Sequence, residues 1–272
     1  MSRSRNIKAR PGRAGAAWLL WLLALAGCVQ GAEPVRLVAA ELAPYAYEEA
    51  GQVSGLGVAI MREAARRLGH NGDVDLMPFK RAYQNARQGH HLLMTPVARI
   101  AAREGEVQWA LRYVDDVFFY VSRAGSAPLN HERARHGASI AVLAGSAPLA
   151  VLRAGGVENF SEQTRDIANI NLLRVGRVDG WFTSALLLSA AFAENPELDP
   201  ADFIIGEPVS RHCVYIVASN DTPEAALRPW QSAFEAMQAD GTYQTILDRF
   251  LAPELRRLIA VSTPISQDCG YL

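Results

Sequence analysis

Short apolar runs alternate with amphipathic stretches of helical spacing along most of this chain. Residues 35–40, Val-Arg-Leu-Val-Ala-Ala, predict a first strand. Leu56, Ile60, Ala64 and Leu68 stand four apart and predict a helix that Gly69 and Asn71-Gly72 end. Residues 73–77 predict a second strand, residues 79–87 a second helix and residues 91–94 a third strand. Thr95-Pro96 is expected to close that third strand, because proline cannot donate to a ladder. An alanine-rich turn with Arg99 and Arg103 follows, and residues 107–110 open another strand. Strands and helices in this alternation make βαβ units around a parallel sheet.

The run at residues 117–122 is dense in aromatic and β-branched residues, and Arg123 to Pro128 breaks it, a place for the chain to cross into a second lobe. A second βα series follows. A strand is expected at 139–143, a small-residue turn at 144–146 and a helix from Pro148 to Ala154. A helix end, Gly176 and a strand follow at 170–182, then strands at 203–205 and 213–217, the last returning the chain to the first lobe. Thr222 as N-cap and Pro223 in the first turn open a long helix. Its apolar residues Leu227, Trp230, Phe234 and Met237 read as core, and a last helix runs within 241–250. The division is discontinuous: lobe 1 takes residues 33–122 plus 218–272 and lobe 2 takes 123–217.

The N-terminus alters the charge balance. Arg3, Arg5, Lys8, Arg10 and Arg13 precede a short apolar run at 14–27, the pattern of a secretory signal within residues 1–32. Five of the 27 basic residues lie there, leaving 22 against 28 acids, a net charge of −6. That argues against nucleic-acid binding. Leu25-Ala26-Gly27-Cys28 resembles a lipoprotein lipobox, with cleavage before a lipidated Cys28; ordinary cleavage near Gly31 or Ala32 is the alternative. Either route leaves Cys213 and Cys269, an even pair in an oxidising compartment, and a disulfide pinning the C-terminal tail is expected.

Chemistry concentrates at residues 91–110. A guanidinium grips a carboxylate or phosphate through two parallel hydrogen bonds, so Arg99 and Arg103, four apart, are candidate anion ligands. Tyr45, in the Pro44 loop after the first strand, is a candidate pocket wall. Ser146 precedes a helix N-terminus, whose unpaired N–H groups suit an anion and where a serine serves as an N-cap. His131 and His136 are five apart and read as surface residues. No nucleophile elbow, zinc motif, phosphate loop or dinucleotide turn is present, and no cofactor is expected.

These segments resemble family 3 of the periplasmic solute-binding proteins, the polar amino-acid receptors of ABC importers. The resemblance runs through Thr95, the arginines and Trp109, then 144–146, 170–182 and 241–250, covering roughly residues 35–251. It implies an α/β, two-lobed, type II periplasmic binding protein fold with two crossings between the lobes, a ligand in the cleft and closure about a hinge. By the family's spacing, the arginine six residues before an aromatic selects Arg103, with Trp109 as wall; the resemblance also makes Ser146 a donor to the ligand from lobe 2, and Thr95 and Ser184 candidate ligand contacts. Arg103 is then expected to grip an anionic group while Arg99 supports it. Two departures stand out. Gly55-Leu56-Gly57-Val58 lacks the family's aromatic and acid. Eight residues after Gly176, where the receptors carry an aspartate for the ligand's ammonium, this chain has Ser184. The resemblance implies a periplasmic, monomeric, non-enzymatic protein whose partners are a small polar solute and an ABC permease, or alternatively a sensor protein. A dehydratase on the same scaffold is a further alternative, with Glu104 and Asp179 as its nominees for the acid.

Overall fold

The computed structural model describes residues 34–100, 103–255 and 259. Strand β1 (Arg36–Ala40) pairs in parallel with β4 (Val74–Met77) on one side and β5 (Leu92–Ala98) on the other. A hairpin of β2 (Tyr47–Glu49) and β3 (Gln52–Ser54) leads into α1 (Leu56–Leu68), and α2 (Phe79–Gln88) joins β4 to β5. Helix α1 buries Leu56, Ile60, Met61 and Ala64 along one stripe. Gly69 ends it at φ 69°, its N–H turned back onto the last carbonyls.

A second parallel block holds β7 (Ile140–Leu143), β8 (Phe160–Gln163) and β9 (Gly180–Ser184). Its helices are α3 (His131–Arg135), α4 (Ala147–Ala154), α5 (Asp166–Arg174) and α6 (Ala185–Glu194). Two antiparallel strands join the blocks: β6 (Gln108–Arg123) leads out and β11 (Ser210–Ala218) leads back. The sheet order is β4-β1-β5-β11-β6-β9-β7-β8, with β10 (Phe203–Ile205) beside β6. Helices α7 (Glu224–Ala239) and α8 (Thr242–Leu247) then pack on the first block. This is the expected α/β fold of two lobes with two crossings.

The apolar core is continuous on one face of the sheet. Leu56 and Ile60 of α1, Trp230 and Phe234 of α7, and Leu186 and Leu188 of α6 all join Tyr113, Val117 and Phe119 of β6 there. On the other face the core is divided. One cluster puts Ala82 and Ala86 of α2 against Leu92, Met94, Tyr215 and Val217; a separate one puts Leu149 and Leu152 of α4 against Phe118, Tyr120 and Phe182. Fully burying each Leu, Ile, Val, Phe or Met among them contributes about 1.5–3 kcal/mol.

Three expectations are corrected. Proline does not end β5: Thr95 pairs with Ala39, and Val97 and Ala98 pair with Tyr215 and Val214. The register of β11 shifts between Tyr215 and Val217, so that the ladder steps past Pro96, which has no N–H to give. The short strands expected at 107–110 and 117–122 are one strand, with Asp115 and Asp116 inside it. Thr222 is not the N-cap of α7; Pro223 holds that position, and the Thr222 hydroxyl bonds to Ser219. Helix α6 was not anticipated. It is apolar on nearly every side, because it is buried rather than amphipathic.

His131 is half-buried and its ring bonds to the Tyr120 hydroxyl, whereas His136 is exposed. No helix among the described residues is long and apolar enough to cross a membrane. The signal, lipobox and Cys28 readings lie outside the described residues.

Candidate functional site

In open α/β sheets, ligands bind beyond the carboxyl ends of the parallel strands, where the loops diverge. Here those ends carry Tyr45 after β1, Phe79 after β4, Arg99 after β5, Ser146 after β7 and Ser184 at the end of β9. Of the residues singled out from sequence, Tyr45, Arg99, Ser146 and Ser184 fall at or after strand ends, whereas Thr95 lies within β5 and Trp109 within β6, and together they sort into separate clusters.

Arg99 and Trp109 belong to one cluster. The Arg99 backbone N–H bonds to the Cys213 carbonyl, which fixes the start of the turn against β11. Its guanidinium meets Glu104 edge-on, Nε to Oε1 at 2.9 Å and Nη2 to Oε2 at 3.2 Å. The Trp109 indole N–H donates to the same Oε2 at 3.2 Å. The guanidinium also lies 5.3 Å from the Trp109 ring and 5.7 Å from the Tyr215 ring. Glu104, and then the Tyr215 hydroxyl, raise the Arg99 pKa further above the guanidinium's usual value. Three donors thus converge on one carboxylate, and the guanidinium that supplies two of them lies against two aromatic rings. This seat is partly open, with 30% of the Arg99 side chain and 40% of Glu104 exposed.

Arg103 is not in that seat. Its Nη1 donates to the Ala98 carbonyl at 2.8 Å, and its guanidinium lies just over 5 Å from the Phe79 and Tyr83 rings, which stack on each other. Burial lowers its pKa, against the opposing pull of Tyr83 and Glu106. The Tyr83 hydroxyl donates to Glu106, which Arg87 also pairs, and the Tyr83 pKa rises to about 12 through burial and Glu106.

Tyr45 and Ser184 meet at a residue that sequence reasoning did not single out, Asp116. The Tyr45 hydroxyl donates to Asp116 Oδ2; Oδ1 accepts the Val117 N–H at 3.0 Å and the Leu186 N–H at 3.3 Å. The Ser184 hydroxyl is a further partner, and it also caps α6 by accepting from the Leu187 N–H. Burial raises the Asp116 pKa to about 6, with these donors holding it down from a higher value. A buried acid thus stands beside Ser184, on strand β6. The signal was readable, since two adjacent aspartates interrupt a strand of aromatic and β-branched residues.

Thr95 is fully buried, its hydroxyl donating to the Tyr113 hydroxyl at 3.1 Å. Ser146 stands alone in the second block. It caps α4 by accepting from the Leu149 N–H at 3.3 Å and donates to the Leu143 carbonyl at 2.6 Å. Asp179 accepts from the Ser139 N–H and hydroxyl, which hold its pKa below the usual carboxylate range. Cys213 is buried and disulfide-bonded; Cys28 and Cys269 lie outside the described residues. Among the described residues no His, Cys, Asp and Glu group is arranged to hold a metal. A groove of about 570 Å³ lies away from these clusters, between α1 and α8, lined by Arg62, Arg66, Thr245, Arg249 and Phe250 among others.

The family model for bacterial extracellular solute-binding proteins, family 3, matches residues 36–253. The chain belongs to that family. Solved structures repeat the two-lobed fold. A mutant of ArgBP from T. maritima is 20% identical, with a TM-score of 0.62 over 79% of this chain and 94% of its own. The GluR0 ligand-binding core from Nostoc punctiforme, in complex with L-glutamate, is 19% identical, with a TM-score of 0.64 over 81% of this chain and all of its own. A solute receptor for L-cysteine from Neisseria gonorrhoeae is 19% identical, with a TM-score of 0.62 over 82% and 92%. No curated protein sequence matches. Members of family 3 are binding proteins, and this one is a ligand-binding receptor of the type II fold.

Proposed function

We propose that this solute-binding protein captures a small polar solute bearing a carboxylate between its lobes, in the periplasm, and presents it to an ABC permease. One lobe would take residues 33–122 plus 218–272 and the other 123–217, with β6 and β11 as the hinge strands. The observation that carries the reading is the edge-on grip of Arg99 on the Glu104 carboxylate, taken here as the stand-in for a solute's, with the Trp109 N–H as a third donor and the Tyr215 ring beside the guanidinium. A guanidinium edge with a third donor recognises the shape of a carboxylate as well as its charge.

In this reading Arg99 is the ligand's carboxylate fork, Trp109 and Tyr215 are walls, and Arg103 holds the turn in place. Tyr45 and Ser184 act through Asp116 on the hinge, and Ser146 orients α4. A dehydratase is disfavoured, because Asp179 is held in its ionised form by Ser139 and Glu104 is engaged by Arg99. Pairing of Cys213 with Cys269 would fasten the tail to β11.

The test is a thermal-shift screen of the mature protein against amino acids, organic acids, amines and short peptides, repeated with Arg99→Ala. A carboxylate solute at a hundred times its Kd adds about 2.7 kcal/mol to the folded state. A shift with one carboxylate that vanishes in Arg99→Ala is expected. A shift that survives the substitution would place the ligand elsewhere, and stabilisation only by amines lacking a carboxylate would overturn the ligand class.

A further inference from the structure

The carboxylate in the Arg99 fork belongs to the protein itself. Glu104 follows directly on Arg103 in the turn after β5 and precedes Gly105, which has φ 76°, a left-handed conformation that glycine adopts without strain. Its two oxygens take the guanidinium edge, and one of them also takes the indole N–H. The turn is anchored before Glu104, at Arg99 by the Cys213 carbonyl and at Arg103 by the Ala98 carbonyl, and after it, where the Gly105 and Glu106 carbonyls accept from the Asn220 side chain. Glu104 therefore stands on a short tether whose ends are fixed, with its head group in a partly open seat. A carboxylate so placed competes at high effective concentration with any carboxylate arriving from solution.

We propose that Glu104 is an internal ligand of the receptor: its carboxylate holds the Arg99–Trp109 fork, and a solute binds by displacing it. This rests on the assignment of the fork to a solute carboxylate and adds a specificity rule. A solute that offers only a carboxylate exchanges one ion pair for an equivalent one and gains little. A solute must bring further contacts, to the rings or to the second lobe, to dislodge Glu104. The tether thus screens simple carboxylates out and sets a threshold for binding. Once displaced, the Glu104 carboxylate lies at the edge of the site, an anion suited to a solute that carries a cationic group as well as its carboxylate.

The pair is about a third exposed, so its removal is worth a modest factor, roughly two- to fivefold in affinity. The experiment follows the indole N–H resonance of Trp109 in 15N-labelled protein, assigned with Trp109→Phe, as acetate is added. Acetate is the CH2–COO⁻ unit that Glu104→Ala removes. In Glu104→Ala the Trp109 resonance is expected to shift saturably, at acetate concentrations two- to fivefold or more below those needed in the wild type. Arg99→Ala combined with Glu104→Ala is expected not to respond. Glu104→Gln, which keeps the side-chain volume and removes the charge, is expected to respond in the same direction as Glu104→Ala. Equal responses in wild type and Glu104→Ala, or silence in Glu104→Ala, would overturn the proposal. The receptor reading is separable. A solute that stabilises wild type and Glu104→Gln alike leaves that reading standing and removes this one. Acetate binding to Glu104→Ala, with every solute of the screen silent on both proteins, supports the internal ligand and removes the receptor reading.

Discussion

The Tyr45 hydroxyl donates to Asp116 Oδ2 at 2.5 Å, which ties the loop after β1 to the middle of the strand that crosses between the lobes. The other oxygen of the same carboxyl takes the Leu186 N–H at the start of α6, in the second block. One buried carboxyl therefore holds a loop of the first block, the crossing strand and a helix end of the second. The charge suits the helix N-terminus, but burial dominates, and the carboxyl pKa rises to about 6.

A pH dependence with a defined sign follows. A carboxyl whose pKa is higher in the folded than in the unfolded chain favours folding in its protonated form. That contribution is complete below the unfolded value of 3.8 and is lost as pH rises through about 6. Asp116→Asn removes the ionisation, keeps an acceptor for the two N–H groups and lets the amide donate to Tyr45. Relative to wild type, the variant is expected to gain stability between pH 4 and pH 7, by about 2–3 kcal/mol, and to hold that gain at higher pH. Tyr45 and Tyr113 stay neutral throughout, their pKa values raised by burial. His212, opposite Asp116 on β11, has its pKa lowered by burial and is common to both proteins. Urea unfolding of the two proteins at pH 4, 5, 6 and 7 checks this, and a difference that does not change with pH would refute it.

Gly57 yields a second prediction, from a departure noted in the sequence. The family places an acid there, but here a Cβ at residue 57 would lie 2.3 Å from Thr95 Oγ1, in a contact that is fully buried. Helix α1 enters the core at this point against β5, so no side chain fits. Gly57→Ala is expected to cost about 1–3 kcal/mol despite alanine's better helix propensity. Thr95→Ser in the same chain, by removing the methyl group 3.0 Å away and freeing the hydroxyl to rotate, is expected to recover part of it. Chemical denaturation of the single and double variants measures both.

Much of the fold was legible because its first block is built from locally consistent signals. Helix α1 carries its stripe and its glycine stop, and Ser146 sits at a helix start where its side chain bonds to backbone three residues away. What could not be read was non-local. The bulge in β11 that carries β5 past Pro96 lies more than a hundred residues away, and nothing around Pro96 announces it. The same applies to the site. Tyr45 and Ser184 were singled out for contact with a ligand, yet they are joined by Asp116, whose environment is set by three separate segments. By their spacing of four, Arg99 and Arg103 belong on one helical face. In the turn they diverge, one towards Glu104 and Trp109, the other towards Phe79 and Tyr83, because the aromatic partners come from β6, β11 and α2.

That divergence separates the two arginines experimentally. Arg103 bonds to a backbone carbonyl and lies against two rings, in surroundings desolvated enough to lower its pKa. Its truncation removes packing along with charge. Arg103→Ala is expected to destabilise the protein by about 1–2 kcal/mol. Arg103→Lys is expected to recover less than half, since an ammonium lacks the broad planar face that a guanidinium offers to aromatic rings. Arg99 lies in a pair that is about a third exposed, and Arg99→Ala is expected to change stability by less than about 1 kcal/mol while removing the response to solute. Calorimetric unfolding of the three variants, with and without the solute from the thermal-shift screen, gives the order. A large loss of stability in Arg99→Ala with none in Arg103→Ala would reverse the two roles, making Arg103 the residue that faces the solute.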